Sequence, residues 1–311
     1  MEKENKYRII FMGTPKIAAT VFEALILKGF NFVGLITQED KKVGRKNEIK
    51  FAPTKKIAIE HKIPVYQPHK IRLDYEFVKD LKPDLILTLA YGQIIPQGLI
   101  DIPKFGCLNL HGSILPKYRG AAPIQRAIID GEKETGITLM EMVDKMDAGK
   151  MFAVERVTII DSDNYTSLCD KLAQAAIKIC LEKLPLYFEG KLLGIKQDES
   201  LVSFANKIKP EEEKLSLDLN ANDFINFVRG LSDEPGGYLL LNGKKLKIFK
   251  AHIFDNSTNE KIGTLLIKKD VFLQLKDALI VLDTVLLEGK KKMDGKSFAN
   301  GSKAYNNVIL Q

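Results

Sequence analysis

Residues 108–123 read LNLHGSILPKYRGAAP. Side chains alternate between faces in an extended chain, so Asn109 and His111 fall on one side and Leu108 and Leu110 on the other. That alternation predicts a strand, and Gly112-Ser113 ends it. Upstream, the short apolar runs YRIIFMG (7–13), NFVGLIT (31–37) and DLILTLA (84–90) are separated by stretches at helical spacing, among them 17–28, 54–61 and 75–81. The short run PVYQ (64–67) adds a further strand. Strands alternating with helices predict βαβ units and a mostly parallel, Rossmann-like sheet. Downstream, ITLMEMV (137–143) reads as one more strand. Over 165–188, Leu168, Leu172, Ala175, Ala176, Ile179 and Leu184 recur at helical spacing, which predicts a helix that closes the first domain.

A chain of 311 residues with 45% hydrophobic content exceeds one ordinary core and suits two domains. Residues 1–190 form the first, 191–207 read as a linker of weak periodicity, and 208–311 form the second. In that second domain a single short helix at 222–229 precedes alternating runs with turn signals, and Asn242-Gly243 supplies the positive φ values of a type I′ hairpin. A small antiparallel barrel of OB type fits these strands, and a sandwich is the alternative.

The three cysteines, Cys107, Cys169 and Cys180, lie in apolar or helical stretches without ligand spacing, and read as buried thiols in a reducing compartment. The apolar run IIFM behind the charged first residues is too short for a signal peptide. The longest uncharged run, 85–100, is interrupted by Gly92, Pro96 and Gly98, so no membrane segment is expected. A cytoplasmic monomer is the expectation. The net charge of +7 is moderate, but Lys41, Lys42, Arg45, Lys46, Lys50, Lys55 and Lys56 concentrate in one stretch against only Glu39, Asp40 and Glu48.

The crevice beyond strand C-termini is where open α/β sheets bind ligands, and Asn109 and His111 sit at such an end. A carboxamide N–H beside an imidazole suits acyl transfer, the first stabilising a developing oxyanion and the second moving a proton. An orienting carboxylate would hold the imidazole's tautomer, and Asp147 in DKMDAGKM is the candidate, with Asp144 its competitor. Ser113 lacks a GxSxG elbow, His61 and His69 lack metal-ligand spacing, and Gly13-Thr14-Pro15 lacks the dinucleotide glycine pattern. No metal is expected.

The stretches NLHGSILPKYRGAAPIQRAI and ETGITLMEMVDKMDAGKM, with RIIFMGTP, ITQEDKKVGRK, LAYGQIIP, GKKLKIFKA and GKKKMDGKSFANG, closely resemble the methionyl-tRNA formyltransferase family across nearly the whole chain. The resemblance implies transfer of a formyl group from 10-formyltetrahydrofolate to the amino group of methionyl initiator tRNA. It assigns the transfer chemistry to Asn109, His111 and Asp147, and folate contacts to Ser113, Ile114, Leu115 and Pro116, with Tyr91, Gly92, Ile94 and Asp144 bordering the pterin slot. Lys41, Lys42, Arg45 and Lys46 become the expected tRNA contacts, through phosphates. A departure from the family pattern is the absence of tryptophan: Tyr118 and Glu234 stand where relatives commonly carry an aromatic indole or ring. Related transferases or hydrolases of formyl-folate acting on small substrates are the alternative, and a nonenzymatic RNA-binding module is a second.

Overall fold

The computed structural model describes residues 6–43, 48–255 and 259–311, with only the backbone of Lys42 and Val43. The chain divides into two compact units: Met1–Pro123, Glu134–Thr158 and Cys169–Ala205 make the first, and Ile124–Lys133, Ile159–Leu168 and Asn206–Gln311 the second. The bounds therefore interleave along the chain instead of falling at a single break. Residues 191–205, read from the sequence as linker, group with the first unit.

The first unit is built on β1 (Ile9–Gly13), β2 (Phe32–Ile36), β5 (Val65–Tyr66), β6 (Leu85–Leu89), β7 (Cys107–His111), β8 (Glu134–Glu141) and β9 (Met151–Thr158), while β3 (Lys41–Val43) and β4 (Glu48–Lys50) pair separately as a hairpin. The sheet order is β5-β2-β1-β6-β7-β8-β9. The first five strands of that order are parallel, and β8 and β9 are antiparallel additions. Strands β1 and β6 are buried at every position, which is why their sequences show no polar–apolar alternation. Because the chain leaves β1 toward β2 and later returns on its other side as β6, the order reverses beside β1, and the turns after β1 and β6 meet there. Thr14 Oγ1 donates to the Tyr91 carbonyl across that reversal at 3.2 Å.

Helix α1 (Lys16–Leu27) presents Ile17, Val21 and Leu25 with Ala18 and Phe22 as one buried stripe. Phe22 stacks on Phe11 at 4.8 Å and meets Phe32 edge-on at 5.0 Å, and burying a ring of that size contributes roughly 1.5–3 kcal/mol. Helices α2 (Pro53–Glu60), α3 (Phe77–Leu81), α4 (Gln97–Ile100) and α6 (Tyr165–Phe188) also precede or follow the sheet strands, and α5 (Pro123–Ile129) follows the segment quoted above.

The second unit contains α7 (Ala221–Leu231), α8 (Gly295–Gly301) and one antiparallel sheet of β10 (Gly237–Leu241), β11 (Lys244–Asp255), β14 (Leu279–Leu287), β13 (Val271–Gln274), β12 (Thr264–Ile267) and β16 (Val308–Ile309), with β15 (Met293–Asp294) on β14. Asn242 and Gly243 take φ values of 50° and 77°, as the hairpin between β10 and β11 requires. Leu240 in β10 exchanges both backbone hydrogen bonds with Gln311, just beyond β16. The sheet thus curls until its two ends meet, the OB-like arrangement rather than a sandwich. Phe224 and Val228 of α7, both fully buried, pack with Leu239, Ile248 and Leu282 in the core of this unit.

Candidate functional site

Strand β7 carries Cys107, Asn109 and His111 on one face, and its end is the origin of the site. Thr88 Oγ1 on the neighbouring β6 lies 2.8 Å from Asn109 Oδ1 and donates to it, which leaves the carboxamide NH2 facing away from Thr88. His111 is buried, its side chain 5% exposed. Its Nε2 lies 2.9 Å from the carbonyl of Tyr118. A carbonyl only accepts, so Nε2 carries the proton there, and Nδ1 faces the Asp147 carboxylate with 3.6 Å to Oδ1. The sequence assigned tautomer control to the carboxylate, whereas in the structure a backbone carbonyl holds it. At 3.6 Å the carboxylate faces Nδ1 from beyond hydrogen-bond distance.

Asp147 reaches this position from the loop between β8 and β9, with its own φ at 49°. Its Oδ2 accepts from the Gly120 N–H at 2.8 Å. Gly120 has no room for a side chain, because a Cβ there would stand 2.7 Å from the Ala205 carbonyl oxygen. Gly149 is equally constrained, since its Cβ would lie 1.9 Å from the Glu141 carbonyl oxygen. The Asp-Ala-Gly signal thus reflects a loop folded tightly enough to return a carboxylate to β7. Asp144, the competing candidate, is exposed.

The segment after β7 turns partly inward. Ser113 is fully buried and donates to the Lys117 carbonyl at 2.7 Å, while its own carbonyl accepts from Thr138 Oγ1. Leu115 is also buried, which leaves Ile114 and Pro116 as the half-buried members of that stretch. The ring of Tyr91 packs among Ile10, Met12, Ile86 and Ile95, and burial pushes its hydroxyl up to about 12. The Tyr91 carbonyl accepts from Thr14 Oγ1 and Gln38 Nε2, beside Gly92 at φ 93° and Ile94, which is 74% exposed. Met142, at the start of the Asp147 loop, packs in the same cluster as Tyr91 and Ile95, so the two segments meet.

The basic residue of the Arg-Gly pair does not face solvent. Arg119 is 1% exposed, and sequence reasoning missed what it binds: Gln197 and Glu199. Glu199 is held down at about 2 by its hydrogen bonds to Arg119 and then Lys145. Lys41 is exposed, the side chain of Lys42 is not described, and Arg45 and Lys46 lie outside the described residues. Lys55, counted in the basic patch, is spent on Asp40 and Gln67 at 2.5 and 2.7 Å. Among the described residues no group of three or more His, Cys, Asp or Glu has metal-binding geometry, and no helix is long and apolar enough to cross a membrane.

Residues 7–184 match the family Formyl transferase, and residues 207–303 match Formyl transferase, C-terminal domain. A methionyl-tRNA formyltransferase of Malacoplasma penetrans is 42% identical over 306 residues, covering 97% of this chain and 96% of its own. The chain belongs to the methionyl-tRNA formyltransferase family. The Bacillus subtilis member is 41% identical over 300 residues, covering 95% of each chain. Among solved structures, HypX from Aquifex aeolicus in complex with tetrahydrofolic acid superposes with a TM-score of 0.70 at 17% identity, over 97% of this chain and 48% of that one. An N-formyltransferase from Helicobacter canadensis, in complex with folinic acid and dTDP-3-aminofucose, gives 0.67 at 18% identity over 88% and 98%. These two likenesses extend the fold beyond the family. The family membership makes the Asn109, His111 and Asp147 constellation part of a formyltransferase domain.

Proposed function

We propose that this chain transfers the formyl group of 10-formyltetrahydrofolate to the amino group of methionyl initiator tRNA, in the cytoplasm and as a monomer. The observation that carries the reading is the meeting of His111 with Asp147 at the end of the strand that bears Asn109, in a chain 42% identical over its length to a protein of that name. Folate supplies an activated formyl carbon. The residues fit it: Ile94, Val143 and Met146 expose apolar surface suited to a flat ring, and Gly92 shapes the backbone beside Ile94. Ser113 to Pro116 and Asp144 line the same slot, the first stretch through Ile114 and Pro116.

The uncharged methionyl amine attacks the formyl carbon, so that one C–N bond forms while the bond to the folate nitrogen breaks. The Asn109 NH2 donates to the formyl oxygen as it gains charge. The amine gives up a proton and the departing nitrogen takes one. Since Nε2 is fixed as N–H by the Tyr118 carbonyl, His111 takes up and releases that proton at Nδ1, where Asp147 stabilises the charged form. Residues 1–190, with 191–205 packed among them, serve this chemistry, and 208–311 hold the tRNA body. Lys41, Lys42, Arg45 and Lys46 meet phosphates of the acceptor stem.

The test measures formyl-folate consumption with charged initiator tRNA, with a small amine, and with neither. Turnover only with charged tRNA is the expected result. Equal turnover with the small amine, or without any acceptor, replaces the reading with a small-substrate transferase or a hydrolase.

A further inference from the structure

A polar network behind Asp147 meets its backbone and not its carboxylate. We infer that Gln197 is a positioning residue that sets the Asp147 carboxylate against His111, an inference that rests on the role of Asp147 proposed above. Arg119 has only donors, and its Nε and Nη2 lie 3.0 and 2.8 Å from Gln197 Oε1. That fixes the carboxamide orientation without ambiguity: the NH2 group must point the other way. It donates to the carbonyls of Asp147 and Gly149, each at 2.8 Å. Every hydrogen-bonding position of the Gln197 amide is therefore used, with a buried guanidinium on one side and the catalytic loop on the other.

The anchoring has a physical need. Asp147 sits at a φ of 49°, a region that an aspartate tolerates but does not prefer, and loops in such conformations persist only when their surroundings over-determine them. The same segment secures the other side of the imidazole. Ser203 Oγ accepts from the Tyr118 N–H at 2.9 Å, and Arg119 N–H donates to the Ser203 carbonyl at 2.9 Å. The Tyr118 carbonyl is the group that holds His111 Nε2. Glu199 closes the far end by bonding both Arg119 and Lys145, the latter on the Asp147 loop itself. Residues 197–203 thus act as a brace reaching both partners of the proton-transfer pair.

The experiment is a double-mutant cycle on the full chain, with Gln197→Glu and Asp147→Asn alone and combined. Glutamate keeps the acceptor for Arg119 and removes the donors to the two carbonyls. Gln197→Glu is expected to lower kcat by about 10- to 100-fold with KM for formyl-folate within about twofold, the loss typical of a slightly misplaced catalytic group. In the Asp147→Asn background the same substitution should change kcat by less than about threefold, because the group it positions no longer acts. An equal loss in both backgrounds, or an unchanged kcat, overturns the inference. If Asp147→Asn alone leaves kcat intact, the proposed role of Asp147 is what fails. Should Gln197→Glu melt well below the parent chain, Gln197→Met, which sets no charge against the carbonyls, takes its place in the cycle with the same two outcomes.

Discussion

His111 has one ring nitrogen committed to the Tyr118 carbonyl and the other turned to Asp147, so a single imidazole edge remains to exchange protons. Replacing it with alanine removes that exchange while leaving the remaining contacts of the fold in place. His111→Ala is expected to lower kcat by about 10²- to 10⁴-fold, the usual worth of a general acid–base group, with tRNA affinity retained in a direct titration. At this scale the site was legible only in places. Asn109 and His111 are two residues apart, and a period of two puts them on one face whatever the rest of the chain does. The sequence favoured Asp147 over Asp144 through the Asp-Ala-Gly motif and the family resemblance, but three residues of an irregular loop carry no period that would show the distance; the structure puts Asp147 3.6 Å from the ring. Arg119 and Gln197 were invisible for another reason. A charged residue in a loop reads as solvated, and only the approach of a segment 78 residues away makes its burial possible.

Elements with strong periodicity stand where the sequence put them, from the fully buried β1 and β6 to the stripe of α1. Strand β9 went unread: it is an edge strand whose burial alternates weakly, and its β-branched Val154, Val157 and Thr158 were the available signal. The paired β3 and β4 inside the basic stretch were likewise read as loop, since three residues per strand give no pattern to detect. Helix α7 shows how short-range chemistry fixes an element's start. Asn220 caps it by accepting from the Asp223 N–H at 2.9 Å, and Asn220→Ala is expected to destabilise the chain by about 1 kcal/mol in chemical denaturation. A loss below a few tenths of a kcal/mol would show that the buried face of α7, with Phe224 and Val228, holds the helix unaided.

For the molecule as a whole, charge is the property that connects it to a polyanionic substrate. The net +7 includes lysines already neutralised by partners, such as Lys55 on Asp40, so where the charge lies counts for more than the total. Arg45, outside the described residues, is the strongest single candidate for a phosphate contact. Arg45→Ala is expected to raise KM for charged tRNA and to reduce the slope of log affinity against log salt by about one, measured across a salt titration; an unchanged slope removes it from the interface. The sequence by itself determined the α/β first domain, an antiparallel second one, the strand face bearing Asn109 and His111, and the family, because hydrophobic period and motif identity are local properties that survive without a partner, whereas closing the second sheet into an OB-like barrel rather than a sandwich needed the tertiary structure. Only the tertiary structure decided how closely the Asp147 carboxylate approaches the imidazole, which carbonyl fixes its tautomer, and that Arg119 and Gln197 stand behind them. Those outcomes depend on chain segments tens of residues apart closing on one another, and the buried hydrogen bonds that reward the closure exist only once it has happened.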